Sequence, residues 1–184
     1  MSKFFTATGD DGTTGLLGDE RVKKYDPRME TLGALDELSA TLGMARSICL
    51  KSTSVVVKDI QVDLYKIMAE VAATDEQQAR FRQITQLNVE FLENRIQELS
   101  NGIADPKGFI LPGDTQASAS ISLARSVARR AERRVAELLD LRVIENDQLV
   151  RYLNRLSSLL FVMELKEVAE SDAGKLSFAK ENNK

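Results

Sequence analysis

Five arginines, Arg125, Arg129, Arg130, Arg133 and Arg134, fall close together against a single acid, Glu132, giving that stretch a local charge of +4 in a chain whose total is −3. Planar guanidinium groups take bidentate hydrogen bonds from phosphate oxygens, so the chemistry this cluster could do is recognition of a compact polyphosphate. On a helix, Arg125, Arg129 and Arg133 stand at i, i+4 and i+8. Like charges at that spacing repel by roughly a few tenths of a kcal/mol per pair unless an acid or a bound anion sits among them. Two other readings compete. A solvated or salt-bridged helix face explains the run as well as an anion site does, and the residues alone do not separate the two. An arginine helix tracking nucleic acid is the weakest, because the sequence pI is near 5.2 and no second basic patch or aromatic platform accompanies it.

A second candidate lies near the start. Gly9, Gly12, Gly15 and Gly18 recur every third residue among Thr6, Thr8, Thr13 and Thr14, with Arg21, Lys23 and Lys24 following. Glycines let backbone N–H groups approach an anion and threonine hydroxyls add donors, so the stretch could cradle phosphate. It lacks the Walker pattern, and Asp10 and Asp11 bring negative charge, so a plain mobile arm is the favoured reading of these residues. The composition narrows the chemistry further: with 0 His and 1 Cys, Cys49, there is no Ser-His-Asp or Cys-His triad, no histidine base and no ordinary structural zinc site. Any reaction must use Arg, Lys, carboxylates, hydroxyls, backbone amides or a bound cofactor.

The elements that would position these residues are helices. The chain has 184 residues, 43% of them hydrophobic and 29% charged, with only 3 Pro and 10 Gly, which favours one all-α domain with long uninterrupted helices. Residues 1–25 read as a loop with a possible short strand. Asp26-Pro27 then forms a helix start, Asp as N-cap and Pro at the first helical position. Met29, Leu32, Leu35, Leu38, Leu42, Ala45 and Cys49 make an apolar stripe over about 28–50, with Asp36 and Glu37 on a solvated flank. A second helix opens at Ser52–Ser54 and runs to about Ala73, and a third spans about Thr85 to Leu99 and stops at Asn101-Gly102. The loop IADPKGFILPGD carries Phe109, Ile110 and Leu111 in a row, which must pack on the bundle, a subunit or a ligand. Thr115 caps the fourth helix, whose core face is Ile121, Ala124, Ala128, Ala131, Val135 and Leu138. A fifth runs from about Asn146 to Ala169 with Asn154 and Arg155 on its flank, and the polar end from about 172 to 184 is expected to fray or pack loosely. A lone cysteine and no secretory segment suggest a reducing cytoplasm, and no apolar run is long enough to cross a bilayer.

Four stretches, TATGDDGTTGL, RVKKYDPRMETLGALDEL, FILPGDTQASASISLARSVARRAERRV and YLNRLSSLLFV, resemble in order the signatures of the PduO-type ATP:cob(I)alamin adenosyltransferases, from about Thr6 to Val162. The resemblance implies a five-helix bundle assembled as a homotrimer with active sites between subunits. It implies transfer of the 5′-deoxyadenosyl group of ATP to the cobalt of reduced cobalamin, with Mg²⁺ accompanying the phosphates and triphosphate released. By the same resemblance residues 1–25 form an ATP-binding arm in which Thr6, Ala7, Thr8, Gly9, Thr14, Gly15 and Lys24 match ATP-contacting positions. Arg129, Arg130, Glu132 and Arg133 match the ATP-binding helix motif and Asn154 the asparagine of the last helix; Arg129, Arg133 and Asn154 are the expected catalytic residues. Asp36 and Arg125 match an intersubunit bridge and Phe109 the aromatic that faces the corrin. Expected partners are ATP, corrinoid, a cobalamin reductase and an adenosylcobalamin-dependent enzyme, with neither nucleic acid nor membrane. The chain departs from the pattern at Ala7, usually Arg or Lys; at Asp11, where Lys is frequent; at Asp114, in place of a second glycine; and in VMELKEVAE after Phe161. The alternative to an enzyme is a trimeric protein of the same fold that only binds or delivers corrinoid.

Overall fold

The computed structural model describes residues 4–172 and 174–180; the first three residues of the arm, and residue 173 and residues 181–184 of the tail, lie outside the described residues. Two short strands, β1 (Thr13–Gly15) and β2 (Arg21–Lys23), are followed by α1 (Pro27–Ile48), α2 (Lys51–Ala72), the single turn α3 (Gln78–Phe81), α4 (Gln86–Ser100), α5 (Gln116–Asp140) and α6 (Gln148–Ala169). The five long helices are those expected from the apolar periodicity. Helix α5 packs along both α1 and α6, α2 covers α1, and α4 covers α6. One continuous core joins them, centred on Leu35, Leu38, Leu42, Ile60, Leu64, Ile67, Leu92, Ile121, Leu138 and Leu156, all with no exposed surface. Burying each such side chain contributes about 1.5–3 kcal/mol, which fixes the rotation of every helix and hence which face of α5 looks outward.

Local sequence sets several helix ends. The Asp26 carboxylate accepts the N–H of Arg28 at 2.9 Å, and Pro27 occupies the first turn where no N–H is needed. Thr115 and Ser118 form a reciprocal cap at the start of α5, Thr115 Oγ1 accepting the Ser118 N–H at 3.0 Å and Ser118 Oγ the Thr115 N–H at 3.1 Å.

The start of α2 differs from the expected serine opening. The helix begins at Lys51, and the Leu50 N–H is accepted by both carboxylate oxygens of Glu167 on α6, each at 3.1 Å. An acid distant in sequence does the capping, so the local serines are not required. Helix α6 likewise starts two residues later than expected. Asn146 is buried before it, donating from Nδ2 to Glu70 and to the Ile84 carbonyl, both at 3.1 Å, while its Oδ1 accepts the Gln148 N–H at 3.1 Å. Arg28, also buried, donates to the Ala73 carbonyl, to Asp75 at 2.7 Å and to the Val143 carbonyl at 3.3 Å, joining the start of α1 to the ends of α2 and α5.

The arm is more ordered than a loop. β1 and β2 pair antiparallel with Thr14 opposite Val22, and the chain between them docks on the end of α2: the Leu17 N–H donates to the Ala72 carbonyl at 2.8 Å and the Thr74 N–H to the Leu17 carbonyl at 3.2 Å. Gly18 makes this docking possible. Its φ is +145°, and a Cβ there would stand 2.6 Å from the Thr74 side chain. Gly18→Ala is therefore expected to loosen the arm by about 1–3 kcal/mol while leaving the helical core intact. Proteolysis should then cut the arm faster with little change in helical circular dichroism; unchanged cleavage would show that the docking tolerates a side chain.

The C-terminal tail also departs from expectation. Rather than fraying or packing loosely, residues 177–179 pair antiparallel with the apolar loop before α5, the Leu111 N–H donating to the Ser177 carbonyl at 2.8 Å and the Ala179 N–H to the Phe109 carbonyl at 2.9 Å. The apolar loop needed cover, and Leu176 and Phe178, the tail's own apolar residues, lie beside it.

Candidate active site

The five arginines of α5 divide by direction. Arg130 pairs with Glu37 of α1, and Arg134 with Glu137 one turn on at 2.9 Å. Arg125 lays its guanidinium over the Phe161 ring of α6, 5.2 Å from the centroid. It also acts on Glu164, whose carboxyl burial pushes up and which Ser122 and Arg125 partly draw back. Arg129 and Arg133, between these two flanks, are exposed and have no carboxylate partner among the described residues; Arg133 donates only to the Arg129 carbonyl, at 3.0 Å. A purely salt-bridged face would pair these two as it pairs their neighbours. The fold instead leaves two cations one turn apart and pointing out, the arrangement that accepts an anion.

Beside them, Asn154 of α6 donates from Nδ2 to Glu132 of α5 at 2.9 Å and accepts from Arg155 at 2.8 Å, while Arg155 donates to Glu93 of α4 at 2.7 Å. This chain of four side chains holds the Asn154 amide in one orientation. It also engages one oxygen of Glu132, and among the described residues Glu132 forms no ion pair with Arg129 or Arg133.

In the arm, Thr6 and Thr8 share a hydroxyl hydrogen bond at 2.8 Å, and Arg21 donates to the Thr8 carbonyl and to Thr13 Oγ1, both at 2.7 Å. A Cβ on Gly9 would lie 3.1 Å from Lys24 Nζ, so the glycine brings backbone and ammonium together. Thr14 and Gly15 belong to β1. Ala7 has a φ of +58°, a left-handed turn that shortens the path between the two threonines. Asp11 is engaged locally: its carboxylate accepts the Thr13 hydroxyl at 2.7 Å and the Thr13 N–H at 2.9 Å, with Arg21 at 3.9 Å. These contacts, the hydroxyl first, hold its carboxyl below the ordinary aspartate value. The arm thus gathers Thr6, Thr8, Gly9 and Lys24, but among the described residues no hydrogen bond or ion pair joins the stretch from Thr6 to Lys24 to the arginines of α5.

Phe109 projects from the loop before α5 with 76% of its surface exposed, although its own carbonyl and the Leu111 N–H are tied to the tail. An outward aromatic on a backbone anchored in this way offers a surface for a flat apolar ligand.

The model of the cobalamin adenosyltransferase family matches residues 4–167, spanning the arm, the arginine helix, the Phe109 loop and Asn154. The chain belongs to the cobalamin adenosyltransferase family. It is 37% identical over 182 residues to the corrinoid adenosyltransferase PduO of Salmonella typhimurium, covering 98% of this chain and 53% of that protein. With the PduO of Citrobacter freundii the identity is also 37%, over 89% of this chain and 49% of that one, so the chain spans about half the length of these two relatives. The corrinoid adenosyltransferase of Bacillus subtilis is 33% identical, with 96% of this chain and 92% of the relative covered. Among solved structures, a variant of the PduO-type ATP:corrinoid adenosyltransferase of Lactobacillus reuteri, complexed with cobalamin and ATP, superposes with a TM-score of 0.81 at 30% identity, covering 89% of this chain and 90% of that one.

In this member of the family the expected site residues form three groups within one chain: the arm, the α5–α6 cluster and the Phe109 loop. The expected bridge residues stay apart, Asp36 exposed on α1 and Arg125 against α6. Sequence reasoning did not single out Arg21 as the organiser of the arm, nor the Arg155–Glu93 ion pair that steadies Asn154. The first could have been sought in a cation facing β1 from β2; the second joins helices far apart in sequence and leaves no local signal.

Proposed function

We propose that this cobalamin adenosyltransferase transfers the 5′-deoxyadenosyl group of ATP to the cobalt of reduced cob(I)alamin, giving adenosylcobalamin and triphosphate. The observation that carries the reading is the outward pair Arg129 and Arg133, without carboxylate partners, beside an immobilised Asn154. The cobalt lone pair forms the bond to the ribose C5′, and the C5′–O bond breaks with its electrons passing to the triphosphate. No proton is transferred, so the absence of histidine from the chain costs the reaction nothing. What the protein must do is hold ATP in line and stabilise charge on the departing triphosphate, tasks suited to arginine and lysine.

Thr6, Ala7, Thr8, Gly9, Thr14, Gly15 and Lys24 would close over the phosphates, with Arg129, Arg130, Glu132, Arg133 and Asn154 on the opposite side. Because the arm and the α5 arginines form separate clusters in one protomer, a site completed across a subunit boundary fits them, with Asp36 of one subunit meeting Arg125 of the next in a homotrimer. No three His, Cys, Asp or Glu side chains come together among the described residues. That fits a Mg²⁺ held chiefly by phosphate oxygens and water, for which this chain supplies at most an outer carboxylate. A cytoplasmic setting and a cobalamin reductase as electron source complete the proposal.

The alternative, a corrinoid carrier of the same fold, draws on Ala7 and Asp11, which leave the arm one side-chain cation poorer. Incubation with ATP and chemically reduced cobalamin separates the two. The enzyme is expected to form adenosylcobalamin and triphosphate in equal amounts, whereas corrinoid binding with no triphosphate would establish the carrier.

A further inference from the structure

Asp114 and Ser177 form a second set of ties between the tail and the loop bearing Phe109. Asp114 Oδ1 accepts the Ser177 hydroxyl at 2.6 Å and Oδ2 accepts the Ser177 N–H at 3.0 Å, so one carboxylate engages both donors of a single residue. With the two backbone bonds of residues 109–111 to 177–179, four hydrogen bonds hold the tail along the loop. Phe178 closes the other side, standing 3.1 Å from where a Cβ on Gly108 would be, so any side chain at 108 would press on the ring. Beneath the tail lies an apolar cavity of about 380 Å³ lined by Ile103, Leu165, Val168, Leu176 and Phe178. The tail thus packs over this pocket on one side and is hydrogen-bonded to the loop bearing Phe109 on the other.

We propose that Asp114 and Ser177 are positioning residues for the proposed reaction: their paired hydrogen bonds fasten the tail over the loop and hold Phe109 at the distance from the corrin that keeps a lower ligand off cobalt. The inference rests on the reading of Phe109 as the corrin-facing wall. Asp114 is the residue that replaces a glycine in the family's loop pattern, and glycine could accept neither donor. Among the described residues neither Asp114 nor Ser177 forms a hydrogen bond or ion pair with the α5 arginines or the arm, so the KM for ATP is expected to be unchanged when they are altered.

The test is made on the full chain with Asp114→Gly, Ser177→Ala and Ser177→Thr, alongside Phe109→Ala. Asp114→Gly is expected to speed amide hydrogen exchange at Leu111 and Ala179 at least tenfold in the ligand-free protein. It should lower the four-coordinate Co(II) signal of bound cob(II)alamin several-fold with the KM for ATP unchanged. Ser177→Ala should give a smaller loss and Ser177→Thr, which keeps the hydroxyl, near-native values. Unchanged exchange in Asp114→Gly overturns the proposal outright. A full four-coordinate signal in Asp114→Gly, with that signal lost in Phe109→Ala, overturns the latch and leaves the corrin wall standing; a full signal in both variants overturns the two together.

Discussion

Arg129→Ala should lower the rate of adenosylcobalamin formation by a factor of about 10²–10³, the usual effect of removing one preorganised charge-assisted donor from a developing anion. Arg129 has no carboxylate partner among the described residues, so truncating it strands no buried acid and leaves Arg130–Glu37 and Arg134–Glu137 in place. Its side chain is exposed, and the core face of α5, through Ala124, Ala128, Ala131 and Val135, is untouched. Stability and oligomeric state should therefore match the parent, which sedimentation and thermal melting can check. Arg129→Lys should recover only part of the rate, because an ammonium keeps the charge but not the bidentate fork. If Arg129→Ala turned over at the parental rate, the outward arginines would be an ordinary solvated face and the anion reading would be lost.

Phe109→Ala should remove most of the four-coordinate Co(II) signal of cob(II)alamin bound with ATP, and slow turnover by about 10²-fold or more when cob(II)alamin must be reduced on the protein. On the proposed function, an apolar ring against the lower face would exclude water and any lower axial ligand, and a cobalt without that ligand accepts an electron more readily, so the protein would tune the substrate's electronics by occupying space. With 76% of its surface exposed, Phe109 contributes little to the core, so its loss should not unfold the chain. The effect should be far smaller with pre-reduced cob(I)alamin, which needs no such help. Equal defects with both oxidation states would argue that Phe109 merely shapes the pocket.

Much of the scaffold was readable because it is local. Asp26-Pro27 and Thr115 act on the next few residues, and the apolar spacing of α1 and α5 determines their buried faces whatever the partner helix is. The arginine cluster was readable as a charge anomaly, but not its division. Which of five neighbouring cations is paired depends on Glu37 lying across the groove on α1 and Phe161 on α6, and both contacts are products of packing. The same limit explains the capping of α2 by Glu167, the burial of Asn146 against Glu70, and the pairing of the tail with residues 109–111: each joins groups more than sixty positions apart. The corrinoid is a different case. No charge or spacing in the chain identifies a corrin; only the combined motifs of the family do.

The docking of Leu17 and Gly18 on the end of α2 bears on how tightly nucleotide can be held. Fixing one residue's backbone costs about 1–2 kcal/mol, and a wholly disordered arm would draw that cost from the affinity for ATP. Here β1, β2 and the turn between them are tied to Ala72 and Thr74, and Arg21 and Lys24 in turn hold the Thr8 and Gly12 carbonyls, so on the proposed function much of the arm is set before nucleotide arrives. On that reading most of the entropy of ordering falls in folding, and Ala72 of α2, outside the proposed nucleotide site, helps to set the dissociation constant of ATP.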